Sequence, residues 1–114
     1  MQSSKQKGYQ GESLAVDYLL AQWWRILWQN FAIAGGEIDI IAENEEERVF
    51  VEVKVVPADI ELTDYISSAK IAAMTRTAET YNLRYPTDLL LRLDAIFVTD
   101  GSIREHFEHI SFYL

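Results

Sequence analysis

The stretch Gly36–Val55, GEIDIIAENEEERVFVEVKV, constrains the fold of this chain more than any other. Two apolar runs flank an acidic turn, and in extended chain successive side chains point to opposite faces. Glu37, Asp39 and Ile41 then share one face of the first strand, opposite to Ile38, Ile40 and Ala42. On the second strand Phe50, Glu52 and Lys54 share a face, with Val51, Val53 and Val55 on the other. A four-residue turn over Asn44–Glu47 pairs Glu43 with Arg48. The same register sets Ile41 opposite Phe50, Asp39 opposite Glu52 and Glu37 opposite Lys54. Like charges held directly opposite, with Cβ atoms roughly 4.5–5.5 Å apart, destabilise a sheet. Two opposed carboxylates on a half-buried sheet call for a cation, so Asp39 and Glu52 form a candidate metal site.

An Asp on one strand followed by Glu-x-Lys on the next resembles the PD-(D/E)xK signature of restriction-endonuclease-like nucleases. Two carboxylates and a backbone carbonyl, here that of Val53, are hard oxygen donors suited to Mg²⁺, with Mn²⁺ as a substitute. A bound Mg²⁺ lowers the pKa of a coordinated water and stabilises charge on a phosphodiester oxygen. Lys54, on the same face as Glu52, suits a role on the attacking water or the phosphate.

More of the chain joins the resemblance. Gly8, Gly11–Glu12, AVDYLL at Ala15–Leu20, Asn30, GEIDIIA and VFVEVK match in order. So do the Lys70 helix with Ala78, the RLD at Arg92–Asp94 and His109–Ile110. Together they resemble the small bacterial YraN-like family, regarded as endonucleases distantly similar to archaeal Holliday-junction resolvases. The resemblance implies catalytic roles for Glu12, Asp39, Glu52 and Lys54, metal ligation by Asp39 and Glu52, and a substrate-binding Lys70. It implies DNA, branched DNA in particular, as partner, and the resolvase analogy brings the expectation of a homodimer. The chain departs from the family where Val56 and Phe31 stand in place of basic residues.

At 114 residues the chain suits a single domain over 1–114. Hydrophobic residues at 49% and aromatics at 12% place it among folded globular proteins. With no cysteine, a metal has to be held by oxygen or imidazole. Met1–Lys7 is polar and lacks the apolar core of a signal peptide, and no apolar run spans a membrane, so a cytoplasmic protein is expected. The net charge of −8 and pI near 4.6 oppose tight sequence-neutral duplex binding, unless the ten Lys and Arg gather on one face.

Along the chain, residues up to about Gly8 read as a frayed start. Ala15, Val16, Leu19, Leu20 and Trp23 recur at helical spacing within Gly11–Trp24, with Glu12 one turn earlier. On spacing alone Glu12 is equally a helix N-terminal acid favoured by the dipole. Arg25–Ile33 reads as a strand with Ile26 and Trp28 on one face and Gly35–Gly36 as the turn out of it. Trp23, Trp24, Trp28 and Phe31 read as core. A helix capped by Thr63 or Asp64 runs to about Asn82, with a stripe of Ile66, Ala69, Ala73, Met74, Thr77, Ala78 and Tyr81 that takes in Lys70. Leu89–Val98 is a strongly apolar strand carrying Asp94, whose buried carboxylate needs a partner, Arg92 or Arg104. A last strand covers Ser102–His106.

The expected fold is therefore α/β, a restriction-endonuclease-like core in the order helix-βββ-helix-ββ with a mixed sheet flanked by helices. Three functions compete: a Mg²⁺-dependent endonuclease, a non-catalytic nucleic-acid-binding module, and a protein-interaction domain whose acidic surface meets a basic partner.

Overall fold

The computed structural model describes residues 3–113. Its elements are α1 (Ser4–Ala21), β1 (Arg25–Ile33), β2 (Gly36–Glu43), β3 (Glu47–Val55), α2 (Ser68–Arg84), β4 (Leu90–Thr99) and β5 (Ser102–Phe107), with 3-10 turns at Leu62–Tyr65 and Ile110–Tyr113. The order helix, three strands, helix, two strands is the expected one. The sheet runs β1-β2-β3-β4-β5, antiparallel throughout except for the β3–β4 pair. Parallel neighbours cannot be joined by a tight hairpin. The segment carrying α2 supplies the crossover.

The β2–β3 hairpin has the register read from its pattern, with Glu43 paired to Arg48 and Ile41 to Phe50. Asn44 Oδ1 accepts the backbone N–H of both Glu46 (2.9 Å) and Glu47 (2.8 Å), which closes the acidic turn. Arg48, buried, donates to Glu43 (2.7 Å), to the Asn82 side chain and to the Tyr85 carbonyl. That one guanidinium ties the hairpin to the end of α2.

Each face of the sheet is covered by one helix. Phe31, Ile38, Ile41, Phe50, Met74 and Tyr81 belong to the core under α2. Ala15, Leu19, Trp24, Ile40, Val49 and Val51 belong to the core under α1. Phe31 (3% exposed) and Val56 (4%) both lie in the α2-side core, so this chain uses for packing the two positions where basic residues were expected.

Several expectations fail, each for a local reason. The chain does not fray before Gly8, because α1 starts at Ser4 with Ser3 as its cap. Ser3 Oγ accepts the Gln6 N–H (3.2 Å) and Gln6 Oε1 accepts the Ser3 N–H (2.9 Å), a reciprocal capping box. At its other end α1 stops at Ala21 rather than Trp24. Trp24 N–H bonds the Leu19 carbonyl and Trp23 N–H the Leu20 carbonyl, with Trp23 at φ 70° where glycine usually stands. That closure turns Trp23 outward, 90% exposed, so it is not core, and Trp28 is only partly covered. Ile26 and Trp28 do not share a face either. The pairing shifts between them, so Ile26 packs on the α1 side while Trp28 meets Tyr81 and Tyr85 of α2.

Thr63 and Asp64 do not cap α2, since they lie in the preceding 3-10 turn. Ser67 is the cap, its hydroxyl accepting the Lys70 N–H at 3.1 Å. Ile66 thus precedes the helix, Ala69 is exposed, and Ile71 joins Met74, Thr77, Ala78 and Tyr81 on the buried face. The turn between β1 and β2 is Ala34–Gly35, and Gly36 opens β2. There α2 presses on the sheet, and a Cβ on Gly36 would collide with Thr77 Oγ1 and lie 3.1 Å from the Ala73 carbonyl. Gly36→Ala should therefore cost roughly 1–3 kcal/mol, as overpacking does, in a urea melt. Gly35→Ala, where nothing lies nearby but φ is +84°, separates crowding from backbone strain.

Asp94 is fully buried with Arg92, not Arg104, as its partner. Arg104 instead donates to the Pro57 and Ile60 carbonyls. Arg92 grips Asp94 through two bonds (2.9 and 2.8 Å), and His106 Nε2 meets its Oδ2 at 2.6 Å. The other imidazole nitrogen of His106 lies 2.9 Å from the Tyr18 hydroxyl, so the network pins α1 to β4 and β5.

A candidate metal centre on the splayed end of the hairpin

The β2–β3 ladder ends at Ile40–Val51. Asp39 and Glu52 are therefore not a ladder pair, as their register alone implied, and Glu37 does not pair with Lys54. The Asp39 carboxylate itself replaces the missing carbonyl: its Oδ2 accepts the Val53 N–H at 2.7 Å. Two features bend the strands apart there. Asn30, the β1 neighbour of this position, sits at φ 57°, a left-handed conformation asparagine tolerates. Beyond it Ile38 and Ile41 fall on the same side while Ile40 falls on the other, so strict alternation is lost around Asp39.

The resulting cleft, about 370 Å³, is lined by Lys7, Glu12, Asp39, Glu52, Val53 and Lys54, among others. Glu12 reaches it because α1 packs closely at Gly11, where a Cβ would stand 2.5 Å from Val55 Cγ2. Lys70 comes from α2 on the far side, its Nζ 3.0 Å from Glu52 Oε1. All five residues singled out from sequence, Glu12, Asp39, Glu52, Lys54 and Lys70, thus gather around one place. Lys7 and Tyr65 were missed. The Ser3-x-x-Gln6 capping signature could have extended α1 back to Lys7. Nothing in the sequence marked Tyr65, whose ring lies 5.8 Å from Lys54 Nζ.

The electrostatics are those of crowded carboxylates. Burial and then the Glu52 charge push the Asp39 carboxyl up to about 7, against a smaller downward pull from the Val53 N–H. Glu52 is also raised, by burial, although Lys70 and Lys54 hold it down. Glu12 is raised by burial and by Asp39, with a hydrogen bond from Asn30 opposing. A group whose folded value lies above its ordinary 3.8 stabilises the fold at low pH and loses that contribution as pH rises through the folded value. Asp39→Asn, which can still accept the Val53 N–H, should therefore gain stability over wild type progressively between about pH 4 and pH 7. Urea melts at pH 5 and pH 8 without divalent ions test this, and an unchanged difference would mean Asp39 is not strained.

The arginines are largely spent on structure: Arg25 and Arg48 on Glu43, Arg92 on Asp94 and Glu47. Of the four lysines, Lys70 is paired with Glu52, and Lys7, Lys54 and Lys70 line the carboxylate cleft or the cavity beside it, so most of the lysine charge gathers around the acids.

Whether these residues suit a metal can be judged on donor chemistry. Among the described residues no three carboxylate or imidazole groups come close enough to form a cage. Mg²⁺ needs none, since it is commonly held by one or two carboxylates and keeps several waters. Asp39 and Glu52 supply two hard, charge-crowded carboxylates. Strand hydrogen bonds alternate sides, so the Val53 carbonyl faces the same β2 side as its N–H. The set fits Mg²⁺ or Mn²⁺. Among the described residues no helix is long and apolar enough to cross a membrane.

Comparison with known proteins places the chain. The family model for the uncharacterised protein family UPF0102 matches residues 11–98, a span from the helix glycine beside Glu12 to β4. A UPF0102 protein of Campylobacter fetus is 35% identical over 105 residues, covering 92% of this chain and 93% of the relative. One from Thermotoga neapolitana is 37% identical over 97 residues, covering 85% and 90%. Another from Geobacter metallireducens is 37% identical over 114 residues, covering 94% and 90%. The match runs through every element that builds the cleft, and the chain belongs to the UPF0102 family.

Proposed function

We propose that this protein is a Mg²⁺-dependent endonuclease that hydrolyses phosphodiester bonds in DNA, branched DNA in particular. The observation that carries the reading is the meeting of Asp39 and Glu52 at the splayed end of β2 and β3, charge-crowded and ringed by lysines. Asp39 and Glu52 would hold the ion, which when bound would polarise the phosphate and acidify a water. The chain's own groups do the rest. The Val53 N–H fixes the Asp39 carboxylate, and Lys70, paired with Glu52, opposes the burial that raises the Glu52 carboxyl. Lys54 supplies a positive charge for the attacking water or the phosphate oxygen that gains charge, which is worth most where water is excluded. Glu12, raised by its surroundings, is suited to hold or pass a proton at the cleft edge.

Mg²⁺ or Mn²⁺ should raise the thermal midpoint of wild type, because a ligand of the native state alone stabilises it by mass action. The Asp39→Ala/Glu52→Ala double variant should match or exceed the metal-free stability of wild type and lose the metal response. An equal response in both proteins would put the ion elsewhere. Cleavage is then assayed at low salt on a four-way junction, a flap, a nicked duplex and a single strand.

A second reading, a protein-interaction domain, rests on a different place. Trp23 stands out beside Glu45 and Glu46 around a shallow depression, an aromatic and acidic surface suited to a cationic partner. Wild type that neither binds nor cuts any of the four substrates would favour it.

A further inference from the structure

A second cavity, about 300 Å³, opens between the Leu62–Tyr65 turn, α2 and the β3–β4 pair. Glu52 and Lys54 line both this cavity and the carboxylate cleft, so the two lie side by side with a common wall. Their chemistry differs. The cleft is charged, whereas the second cavity has a floor of Met74, Phe97 and Ile110, all almost fully buried. Tyr65 forms one side, 36% exposed and set edge-on to Phe97 with ring centroids 6.1 Å apart. Lys54 and Lys70 stand at the end shared with the cleft, and Asp64 also borders the space.

A ligand fitting this surface carries an anionic group toward the lysines and a flat, largely apolar group inward. The volume is at the lower end of those that hold small organic ligands. A nucleotide has both parts, with its phosphate and base close enough to occupy adjoining sites. Accepting the nuclease reading, on which this inference rests, we propose that the cavity receives one unpaired nucleobase of the substrate strand, next to the phosphate held in the carboxylate cleft. Tyr65 contacts the base and Asp64 offers an acceptor to an exocyclic amine. A base drawn from intact duplex has first to be unpaired and unstacked, a cost that a flap, gap or junction has already met. The cavity thereby selects DNA with an unpaired nucleotide at the cleavage position.

The test separates base recognition from cleavage. Binding of the full chain to a short single strand is measured by fluorescence anisotropy with Ca²⁺ in place of Mg²⁺, and compared with a strand of equal length whose nucleotides are all abasic. One base stacked on an aromatic side chain typically gives from several-fold to about a hundred-fold in affinity, so the natural strand should bind about ten-fold more tightly. Tyr65→Ala, at the exposed side, should narrow the gap without weakening the abasic strand. Met74→Trp, which fills the floor, should do the same if its thermal midpoint shows it folded. Equal binding of the two strands by wild type overturns the proposal, as does a gap that Tyr65→Ala leaves intact. If wild type shows the gap and its loss in Tyr65→Ala yet cuts nothing with Mg²⁺ or Mn²⁺, the base site stands and the nuclease reading falls.

Discussion

Lys54→Ala should lower metal-dependent cleavage of a flap or four-way junction by about a hundred-fold or more while changing DNA affinity only a few-fold. Deleting one preorganised donor to developing charge typically costs 10²–10³ in turnover. Losing one phosphate contact removes a small part of an affinity shared among several. A group acting only in the transition state lowers kcat and kcat/KM together and leaves KM nearly unchanged. Lys54 has the placement for this: it lines both the cleft and the adjoining cavity, and among the described residues no carboxylate pairs with it as Glu52 pairs with Lys70. Asp39→Ala should also abolish cleavage yet tighten metal-free DNA binding, since it removes a negative charge beside the phosphate. Single-turnover kinetics against equilibrium binding check both. A Lys54→Ala protein that cuts at the wild-type rate but binds tenfold worse would demote Lys54 to a docking residue.

The largest loss of stability is expected in a different polar cluster, the one around Asp94 of β4. Asp94→Ala should destabilise the protein by about 3–5 kcal/mol, because it leaves the Arg92 guanidinium and the His106 imidazole, both nearly buried, without their shared partner. That corresponds to a fall of roughly 10–20 °C in the thermal midpoint of a domain this size. Burial alone would push the Asp94 carboxyl up, but hydrogen bonds from His106 and Arg92 and the Arg92 charge bring it below its ordinary 3.8. The contribution of a depressed carboxylate is full above its unfolded value and is lost as pH falls through the folded one. The gap between wild type and Asp94→Asn in urea melts should therefore hold from neutral pH down to about pH 4 and shrink below it. A loss under 1 kcal/mol for Asp94→Ala would mean that water reaches the network.

The two sets of acids behave oppositely for one reason. Asp94 has its cations built in, so its charge is satisfied within the fold. Asp39, Glu52 and Glu12 face one another, and among the described residues Lys70 is the one cation in an ion pair with them, so much of their charge is left for something else to satisfy. That contrast is the physical ground for separating a structural acid from a candidate functional one.

The order of elements, the β1 span and the hairpin register up to Ile41–Phe50 were all legible in the chain. So was the approach of Asp39, Glu52 and Lys54. Each is governed by near neighbours in sequence: period-two alternation, an Asx-closed turn, and spacing along a strand. What alternation could not show is that the ladder opens after Ile40, since that depends on Asn30 in another strand and on a carboxylate replacing a carbonyl at Val53. The capping of α2 by Ser67 and the outward turn of Trp23 hinged on which local hydrogen bonds close each helix end, where several residues were eligible. The sequence alone determined which residues alternate and where charge sits along the strands. Only the tertiary structure decided that Lys7, Glu12 and Lys70 meet at the same end of the hairpin, because helices on opposite faces of a sheet reach a common point only where its strands part.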